Sequence, residues 1–394
     1  MATQTYHLAA RMSVMQPSAT LAVSDKARQL TLAGHDVVDL GGGDPDFTTP
    51  KHIIQAAAEA MESGFTHYVA SNGIPPLRKA ITAKLRRDNS LEYDPNTEII
   101  VTPGGKAALA ISLLTLLGDG DECLILDPGW VSYAPATQLA NATPVQVPLS
   151  PDDGWTIRAE LLERYITPRT RVLIFNSPNN PTGRVARPEE LQAVAQVAQA
   201  HNLIVISDEI YEKLLYDGHT HQSIASLPGM QERTIIVNGF SKPYAMTGWR
   251  LGYVAAPRAL VSEIAKVHSH TATCATSFAQ VGGVVAYDGP QDCITEMNAA
   301  YDRRRCLISE GLSALPGIIC PLPEGAFYAF ADVRGTGLSA PEFATRLLES
   351  QYVAVTPGDA FGPAGAGYVR LSVANSDEML RKAVERIGTF AHSL

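Results

Sequence analysis

Short apolar segments alternate with longer helical patterns between residues 98 and 257, and this alternation restricts the fold more than any other feature of the sequence. The apolar segments lie at Glu98–Thr102, Glu122–Leu126, Arg171–Phe175, Leu203–Ser207, Thr234–Asn238 and Leu251–Ala255. Helical patterns such as Ala107–Leu117 and Pro188–His201 separate them. Because strands that are apolar throughout are typically buried on both faces, the pattern predicts an α/β fold with a mostly parallel sheet flanked by helices.

Polar motifs follow five of these predicted strands. They are Gly104–Lys106, Asp127–Trp130, Asn176–Gly183, Asp208 and Lys242. In open α/β sheets, ligands bind beyond the carboxyl ends of the strands. We therefore expect the five motifs to form one site at one edge of the sheet.

From about residue 290 the pattern changes to that of a smaller α+β unit. The predicted elements there are helices at Gln291–Leu315 and Ala340–Gln351, strands at Ala326–Val333 and Tyr368–Ala374, and a final helix. The first 45 residues, with a helical pattern at Leu21–Ala33, are expected to pack with this unit. We predict a large domain at residues 46–288 and a small domain formed by residues 1–45 and 289–394.

Composition excludes several classes of function. The 394-residue chain is 45% hydrophobic, which is enough for a large core, and its net charge of −9 argues against binding to nucleic acid or to an anionic membrane. No apolar run reaches the ~18 residues of a membrane span. The five scattered cysteines include no CxxC, so neither a disulfide framework nor a metal site is expected. With no signal-peptide pattern at the N-terminus, these features favour the cytoplasm.

One lysine, Lys242, follows the predicted strand Thr234–Asn238, with Ser241 before it and Arg250 eight residues later. A lysine amine can form a Schiff base with a carbonyl cofactor, and Ser241 and Arg250 can hold a phosphate. These groups suit pyridoxal phosphate (PLP) and amino-group chemistry. The alternative is an ordinary surface lysine after a strand.

Three polar residues match other needs of that cofactor. Asp208 follows a buried strand, where a carboxylate is costly unless paired, and a pyridinium N–H is such a partner. The amide of Asn180 can donate to the ring hydroxyl oxygen, and Tyr211, three residues after Asp208, can share this contact. The alternatives are a helix N-cap for Asp208, a turn-forming role for Asn180 and core packing for Tyr211.

Further candidates would hold a phosphate, an aromatic ring and a substrate. Gly104–Lys106 opens a predicted helix, whose N-terminal N–H groups attract phosphate. Trp130 follows another strand, where it could stack on a pyridine ring or pack in the core. Arg370 lies inside an apolar strand and requires an anion, which is either a substrate carboxylate or an internal salt bridge.

Together these residues resemble the class I aminotransferases of PLP fold type I, and they are most similar to the bacterial-type aspartate aminotransferase branch. The resemblance covers nearly the whole chain and implies a seven-stranded sheet in the large domain. The matching motifs are Pro17–Thr20, Gly43–Phe47, Thr66–Tyr68, Gly104–Lys106, Trp130–Tyr133, Asn176–Gly183, Ser207–Tyr211, Ser241–Lys242, Ala245–Arg250 and Arg370.

The resemblance implies a role for each residue around the cofactor ring. Lys242 would bond covalently to PLP and Asp208 would bind its pyridine nitrogen, and both would act in catalysis together with Tyr211. Asn180 and Tyr211 would lie near the ring hydroxyl oxygen. Trp130 would stack on the ring.

The phosphate contacts implied by the resemblance come from two subunits. Ser241, Arg250 and the backbone of Gly105 and Lys106 would hold the phosphate from the same chain. Tyr68 would reach the phosphate of the neighbouring subunit. The resemblance therefore implies a homodimer with shared active sites.

The substrate contacts follow from the same resemblance. The implied substrate-binding residues are Gly43, Trp130, Asn180, Arg370, Thr20 and Lys106. Gly43 and Arg370 would hold the α-carboxylate. Lys106 and Thr20 match positions that meet a distal carboxylate in the aspartate branch.

The implied reaction moves an amino group from an L-amino acid, aspartate or glutamate, to a 2-oxo acid such as 2-oxoglutarate. It would follow ping-pong order through a lysine aldimine, with the freed Lys242 as acid and base. An aromatic or basic donor stays open, because Gly129 replaces an aromatic residue of many relatives. A PLP-dependent lyase or oxidase on the same scaffold also stays open, whereas the intact site disfavours a non-catalytic binding module.

Two histidines, His268 and His270, are expected near the subunit interface and the mouth of the pocket. They either contact a larger or anionic substrate or are partly exposed helix residues. The second interpretation is favoured.

Overall fold

The computed structural model describes residues 6–394. Its α-helices are α1 Ala19–Leu32, α2 Lys51–Glu62, α3 Pro75–Asn89, α4 Gly105–Leu116, α5 Tyr133–Leu139, α6 Ala159–Glu163, α7 Pro188–Ala200, α8 Arg258–Thr271, α9 Ser277–Asp288, α10 Asp292–Ser313, α11 Ala340–Gln351 and α12 Asp377–Ala391. Its strands are β1 Val38–Asp39, β2 Ile99–Thr102, β3 Glu122–Asp127, β4 Thr143–Pro148, β5 Thr170–Asn176, β6 Ile204–Asp208, β7 Thr234–Gly239, β8 Gly252–Ala255, β9 Tyr328–Asp332, β10 Val353–Ala354, β11 Thr356–Pro357 and β12 Tyr368–Ser372.

The central sheet has seven strands in the order β2-β8-β7-β6-β5-β3-β4. Strand β8 is antiparallel to both of its neighbours, and the other pairs are parallel. The mostly parallel seven-stranded sheet is therefore confirmed. From β3 the chain continues to β4 on one side, and from β5 to β6 and β7 on the other, so the strand order reverses between β3 and β5. Such a reversal leaves a crevice at the carboxyl ends of the strands, where ligands bind.

Helices cover both faces of this sheet because its strands are apolar on both sides. In β5, Val172 and Ile174 pack with α4, α5 and α8, whereas Leu173 and Phe175 pack with α7 on the opposite face. Successive side chains of a strand point to opposite faces, so a continuous apolar run requires two covering layers. Each of these fully buried side chains contributes roughly 1.5–3 kcal/mol to folding.

The edge strand β4 was missing from the sequence prediction. It has a proline near each end, Pro144 and Pro148, and most of its side chains are partly or fully exposed. Proline is tolerated at the edge of a sheet because one side of an edge strand makes no ladder hydrogen bonds. The apolar pattern is therefore weak at this exposed edge strand, whereas the other edge strand, β2, is buried throughout and was predicted.

The C-terminal residues form a separate antiparallel sheet in the order β11-β12-β9. Arg370 in β12 pairs with Phe330 in β9, and α10, α11 and α12 supply much of the surrounding apolar core. The short strand β1 pairs with β10, which ties the N-terminal segment to this part of the chain. The elements agree with a smaller α+β unit, and the boundaries at residues 45/46 and 288/289 stay a prediction.

Helix ends agree with the sequence patterns to within a few residues. Helix α11 covers the predicted range Ala340–Gln351, and the Ser339 hydroxyl accepts from the Glu342 N–H as its N-cap. Helix α12 is capped in the same way by Ser376. Among the described residues, no helix is long and apolar enough to cross a membrane.

Candidate active site

A cavity of about 420 Å³ lies at the carboxyl ends of the central strands. Every residue that the sequence analysis assigned to the site lines it, with the exception of Tyr68. The five strand-end motifs thus meet at one place. This happens because parallel strands present their carboxyl ends at the same edge of a sheet.

Lys242 projects into the cavity from the turn after β7. Its Nζ donates to the Gly43 carbonyl and lies 5.9 Å from the centre of the Tyr211 ring. Burial is the largest cause that lowers the pKa of Lys242, to about 8, and the positive charge of Arg370 adds to it against the opposing effect of Asp44. Near neutral pH a sizeable fraction of this amine is unprotonated and can act as a nucleophile.

Asp208 ends strand β6 and is only 6% exposed. Its Oδ2 accepts a hydrogen bond from the Tyr133 hydroxyl at 2.8 Å, and its Oδ1 accepts from the Ile210 N–H at 3.3 Å. Burial raises the pKa of Asp208 to about 6. The residues directly after it form a turn and no α-helix, so the helix N-cap alternative is wrong. A buried carboxylate of this kind is stabilised by a cationic partner such as a pyridinium.

Arg370 is 2% exposed and lines the cavity next to Asn180. Its Nη1 donates to Asn180 Oδ1 at 3.0 Å, and its Nη2 donates to the Gly41 carbonyl at 2.6 Å. Its Nε has no hydrogen-bond partner within residues 6–394, and no acidic side chain of that part of the chain forms an ion pair with it. The internal salt bridge is therefore wrong for these residues, and the guanidinium keeps the capacity to bind an anion.

The Arg370 guanidinium is also enclosed by aromatic rings. It lies 4.3 Å from the centre of the Tyr328 ring and 4.8 Å from that of Phe361. Cation–π contacts stabilise a desolvated guanidinium without neutralising its charge. Because Asn180 Oδ1 accepts from Arg370, the amide nitrogen of Asn180 is the atom that can donate to a ligand.

Tyr211 both packs in the core and lines the cavity. Its hydroxyl is hydrogen-bonded to the Tyr328 hydroxyl at 2.8 Å, and its ring meets Phe327 edge-on. Burial raises the pKa of Tyr211 well above its usual value, so the hydroxyl keeps its proton. A protonated phenol can donate to a ligand oxygen.

One end of the cavity is built to hold an anion. Gly104 precedes α4 with a φ of +86°, and a Cβ at this position would lie 2.5 Å from Arg250 Nη2. The glycine thus lets the guanidinium approach the first turn of α4, whose backbone N–H groups at Gly105 and Lys106 have no helical partners. Ser241 lines the same cavity and is buried. A helix N-terminus, a hydroxyl and a guanidinium are groups that bind phosphate in proteins.

The open side of the cavity carries Lys106, Trp130 and Thr20. Lys106 Nζ lies 5.0 Å above the Trp130 ring, and burial, with a smaller effect from Arg250, lowers its pKa. Trp130 packs edge-on against Tyr133 at 5.5 Å. The Thr20 hydroxyl lies 3.1 Å from Ser18 Oγ. Lys106 and Thr20 thus bring a cation and a hydroxyl to this side of the cavity.

Tyr68 lies outside the cavity of its own chain and is 86% exposed. It is carried by the loop between α2 and α3. The two histidines differ, because His268 is wholly buried whereas His270 is exposed. Because His268 is buried, the interpretation as a partly exposed helix residue is wrong for it, and neither histidine lines the cavity.

Sequence reasoning did not assign a role to Tyr133 or Tyr328. Burial, and then the charge of Asp208, raises the pKa of Tyr133. Its hydroxyl therefore stays protonated and donates a hydrogen bond to the Asp208 carboxylate. Tyr328 lies two residues before Phe330, the β-sheet partner of Arg370, and therefore on the same face of that sheet. A periodicity argument applied to β9 and β12 together could have found Tyr328, but nothing local indicated Tyr133 as the partner of Asp208.

Gly129 does not line the cavity. A Cβ at Gly129 would lie 2.5 Å from the carbonyl oxygen of Leu126, so a side chain would require the backbone to move. The small residue at this position follows from the close approach of the chain to itself.

A second cluster of ionisable groups lies behind Asp208. Ligand atoms of Glu209, Glu212 and His221 are within 4.8 Å of one another. Glu212 accepts hydrogen bonds from Lys84 and Asn89; burial alone would raise its pKa, but Lys84 and His221 bring it down to about 2. With its oxygens used by these donors, Glu212 belongs to a buried charge network rather than to a ready metal site.

Comparison with known proteins decides the family. Residues 35–387 match the family of class I and II aminotransferases. The chain is a class I aminotransferase. It is 47% identical to the aspartate aminotransferase of Musicola paradisiaca over 94% of this chain and 93% of that protein. It is 42% identical to aromatic-amino-acid aminotransferase 2 of Thermococcus litoralis over 96% of this chain and 97% of that protein.

The fold comparison agrees with the sequence comparison. The solved structure of Thermus thermophilus aspartate aminotransferase with maleate is 43% identical, has a TM-score of 0.93, and covers 99% of this chain and 100% of that chain. This similarity, together with the observed sheet, confirms PLP fold type I for the aminotransferase.

The aminotransferase depends on PLP, and the residues of its cavity fit that cofactor. The buried carboxylate of Asp208 forms no ion pair among the described residues, while the Gly104–Arg250 end is shaped for an anion. These two features match the pyridinium and the phosphate of one molecule. A lysine amine with a lowered pKa lies in the same cavity.

Proposed function

We propose that this aminotransferase takes its amino group from aspartate or glutamate and passes it to a 2-oxo acid such as 2-oxoglutarate. The observation that supports this choice is the pairing of two cations in one cavity, the buried Arg370 and the exposed Lys106. A dicarboxylic amino acid can place one carboxylate on each of them. The neutral hydroxyl of Thr20 lines the same cavity and can assist at the side-chain end.

Asp208, Asn180 and Tyr211 would hold the cofactor ring. Asp208 would pair with the pyridine nitrogen, supported by the hydroxyl of Tyr133. Asn180 and Tyr211 would contact the ring hydroxyl oxygen, and Trp130 would cover the ring. When bound, PLP supplies a conjugated ring that stabilises negative charge at the substrate Cα.

The phosphate of the cofactor would lie at the first turn of α4. Ser241, Arg250 and the N–H groups of Gly105 and Lys106 would bind it, since each is a donor and together they carry positive charge. Because Gly104 has no side chain, the guanidinium of Arg250 can lie at this end.

Lys242 would carry the proton in the reaction. Its amine would attach the cofactor covalently and, once displaced by the substrate, would move a proton from the substrate Cα to the C4′ carbon. A pKa of about 8 suits both steps, because the free amine and its conjugate acid are both populated near neutral pH. Arg370 and the Gly43 backbone would hold the substrate α-carboxylate and so orient the Cα–H bond for this transfer.

The donor is tested by single-turnover spectroscopy of the holoenzyme. Aspartate, glutamate, phenylalanine, tyrosine, tryptophan and arginine are added in turn, and loss of the visible absorbance of the bound cofactor is followed. The fastest loss with aspartate or glutamate supports the proposal. Loss only with aromatic or basic donors would overturn the donor while leaving the transamination intact, and a visible band that returns without a 2-oxo acid would indicate a lyase.

We also infer a homodimer in which Tyr68 completes the site of the partner subunit. Tyr68 is exposed next to an open groove of about 780 Å³ lined by apolar groups of Ala60, Phe65, Val69 and Val281. An exposed groove lined by apolar side chains is a surface on which a protein partner can pack. The resemblance to the aspartate branch supports a second copy of this chain as the occupant.

Hybrid dimers test the shared site. Subunits carrying Lys242→Ala are mixed with subunits carrying Tyr68→Ala, so that one site of the hybrid contains both native residues. Activity that reappears in the hybrid supports a site built by two chains, whereas a fully active monomer in sedimentation would overturn it.

The five cysteines, all unpaired, support a reducing cytoplasm for this enzyme.

A further inference from the structure

The loop between α2 and α3 carries Tyr68 and is attached to the body of the protein on both sides of it. Before Tyr68, the Ser277 hydroxyl donates to the Phe65 carbonyl at 2.9 Å. After Tyr68, the His268 Nε2 is 3.1 Å from the Ser71 carbonyl, and the Ile74 N–H donates to Gln280 Oε1 at 2.8 Å. The exposed Tyr68 thus lies between anchored segments of backbone.

The anchors come from rigid elements. Helix α8 supplies His268, and helix α9 supplies Ser277 and Gln280. Gln280 is wholly buried, and its Nε2 also donates to the Ala275 carbonyl at 2.8 Å, so its amide is fixed at both ends. Strand β2 adds a fourth contact, because the Val101 N–H donates to the Asn72 carbonyl at 3.1 Å. The loop therefore has a defined position relative to the central sheet.

His268 is the least expected of these anchors. Its side chain is 0% exposed, and the Ser71 carbonyl is its only hydrogen-bond partner within residues 6–394. Because a carbonyl can only accept, Nε2 must carry the proton. Burial lowers the pKa of His268, which keeps the imidazole neutral in this tautomer. A buried imidazole with one hydrogen bond costs free energy, and a role for that bond would explain its presence.

We propose that His268 is a positioning residue for Tyr68: its hydrogen bond to the Ser71 carbonyl holds the loop so that Tyr68 can reach the cofactor phosphate of the partner subunit. This inference rests on the proposed shared site. His268 contacts neither the cavity nor the exposed face of the groove, so it acts through the backbone of the loop alone.

The test is a double-mutant cycle on PLP binding. The equilibrium dissociation constant of PLP is measured by absorbance for the native dimer, His268→Leu, Tyr68→Phe and the double variant. We expect each single change to weaken PLP binding by about five- to twenty-fold, as for the loss of one buried or charge-assisted hydrogen bond. We expect the double variant to bind PLP no more weakly than Tyr68→Phe, because His268 acts through Tyr68.

Two further variants separate positioning from folding. His268→Gln places an amide nitrogen near the position of Nε2 and should restore most of the PLP affinity. His270→Leu, on the exposed side of the same helix, is the matched control and should bind PLP as the native enzyme does. Hydrogen exchange of residues 66–73 in the holoenzyme should rise in His268→Leu and not in His270→Leu.

Each outcome decides the matter. Additive losses in the double variant, or native PLP affinity in His268→Leu, would overturn the positioning role. If Tyr68→Phe leaves PLP affinity unchanged while His268→Leu lowers it, both the positioning role and the Tyr68 contact fail. If Tyr68→Phe weakens PLP binding while His268→Leu does not, the shared site stands and only the role of His268 is lost.

Discussion

The inner and outer ends of the active-site cavity are held in different ways. At the inner end, Asp208 and Arg370 are buried, and each is fixed by hydrogen bonds to other parts of the chain. At the outer end, Lys106 is exposed and lies over the face of Trp130. In the proposed mechanism, the inner groups serve chemistry that is the same for every amino acid, whereas the outer groups meet the part of the substrate that varies. Pre-organisation is therefore strongest where the reaction, rather than the choice of substrate, is decided.

The largest effect is expected from Lys242→Ala, which removes the lysine amine from the cavity. Turnover should fall by at least about ten-thousand-fold, because one group both attaches the cofactor and carries the proton. Steady-state rates and the visible absorbance of the cofactor measure this. Lys266→Ala, at an exposed lysine on α8, is the control and should change neither. Full turnover in Lys242→Ala would remove this residue from the mechanism.

Asp208→Asn should lower turnover by about a hundred- to a thousand-fold, because a neutral amide cannot stabilise a protonated pyridine ring. Tyr133→Phe removes only the hydrogen bond to Asp208 and should cost about tenfold. Rates at saturating PLP measure both, and circular dichroism checks that the fold is kept. Equal losses in the two variants would contradict the assignment of the charge to Asp208.

Arg370→Lys tests whether the inner end binds the α-carboxylate of every donor. The Michaelis constant should rise by about ten- to a hundred-fold for all amino acids alike, because lysine cannot reproduce the bidentate geometry of a guanidinium. Arg346→Lys, at an exposed arginine on α11, is the matched control. A loss confined to acidic donors would mean that Arg370 binds the side-chain carboxylate of the donor and not its α-carboxylate.

The pH dependence of cofactor uptake tests the environment of Lys242. Since its pKa is lowered to about 8, the amine is mostly neutral above this value and mostly protonated below it. The initial rate at which the apoenzyme takes up PLP should thus fall by about tenfold for each pH unit below 8 and level off above it. A profile that keeps rising to pH 10 would show an amine with its ordinary pKa.

The smallest effect is expected at the outer end, from Lys106→Ala. The specificity constant for aspartate should fall by about five- to ten-fold, whereas that for phenylalanine should stay unchanged, since an exposed ion pair contributes little. The ratio between the two donors is the measurement. An equal fall for both would mean that Lys106 serves the cofactor and not the side chain of the substrate.

The sequence predicted the buried strands of the central sheet well and the exposed edge strand β4 poorly. Strands such as β5 and β6 are buried on both faces, so nearly every residue is apolar and the pattern is strong. Strand β4 has one neighbour and two prolines, and its pattern is weak. Strand β2 also has one neighbour, but it is buried throughout and was predicted, so the strength of the sequence signal follows the burial of a strand.

The residues of the candidate site were predictable where they follow a strand. Lys242 and Asp208 stand at strand ends, and a polar group in that position is visible in the sequence. Strand periodicity could have placed Tyr328 on the face of Arg370, but its contact with Tyr211 spans 117 residues of sequence and the contact of Tyr133 with Asp208 spans 75, so neither contact was predictable. Such pairs form only when separate elements pack, and no local pattern records them.

By itself, the sequence determined the layered α/β fold, the edge of the sheet at which the site lies, and the residue types that a PLP enzyme needs. Only the tertiary structure decided that Arg370 is held by Asn180 and the Gly41 carbonyl rather than by an acid, and that His268 is buried against the loop of Tyr68. The physical reason is the range of the interactions. Periodicity and strand ends follow from neighbouring residues, whereas hydrogen bonds between distant segments exist only once the chain has folded.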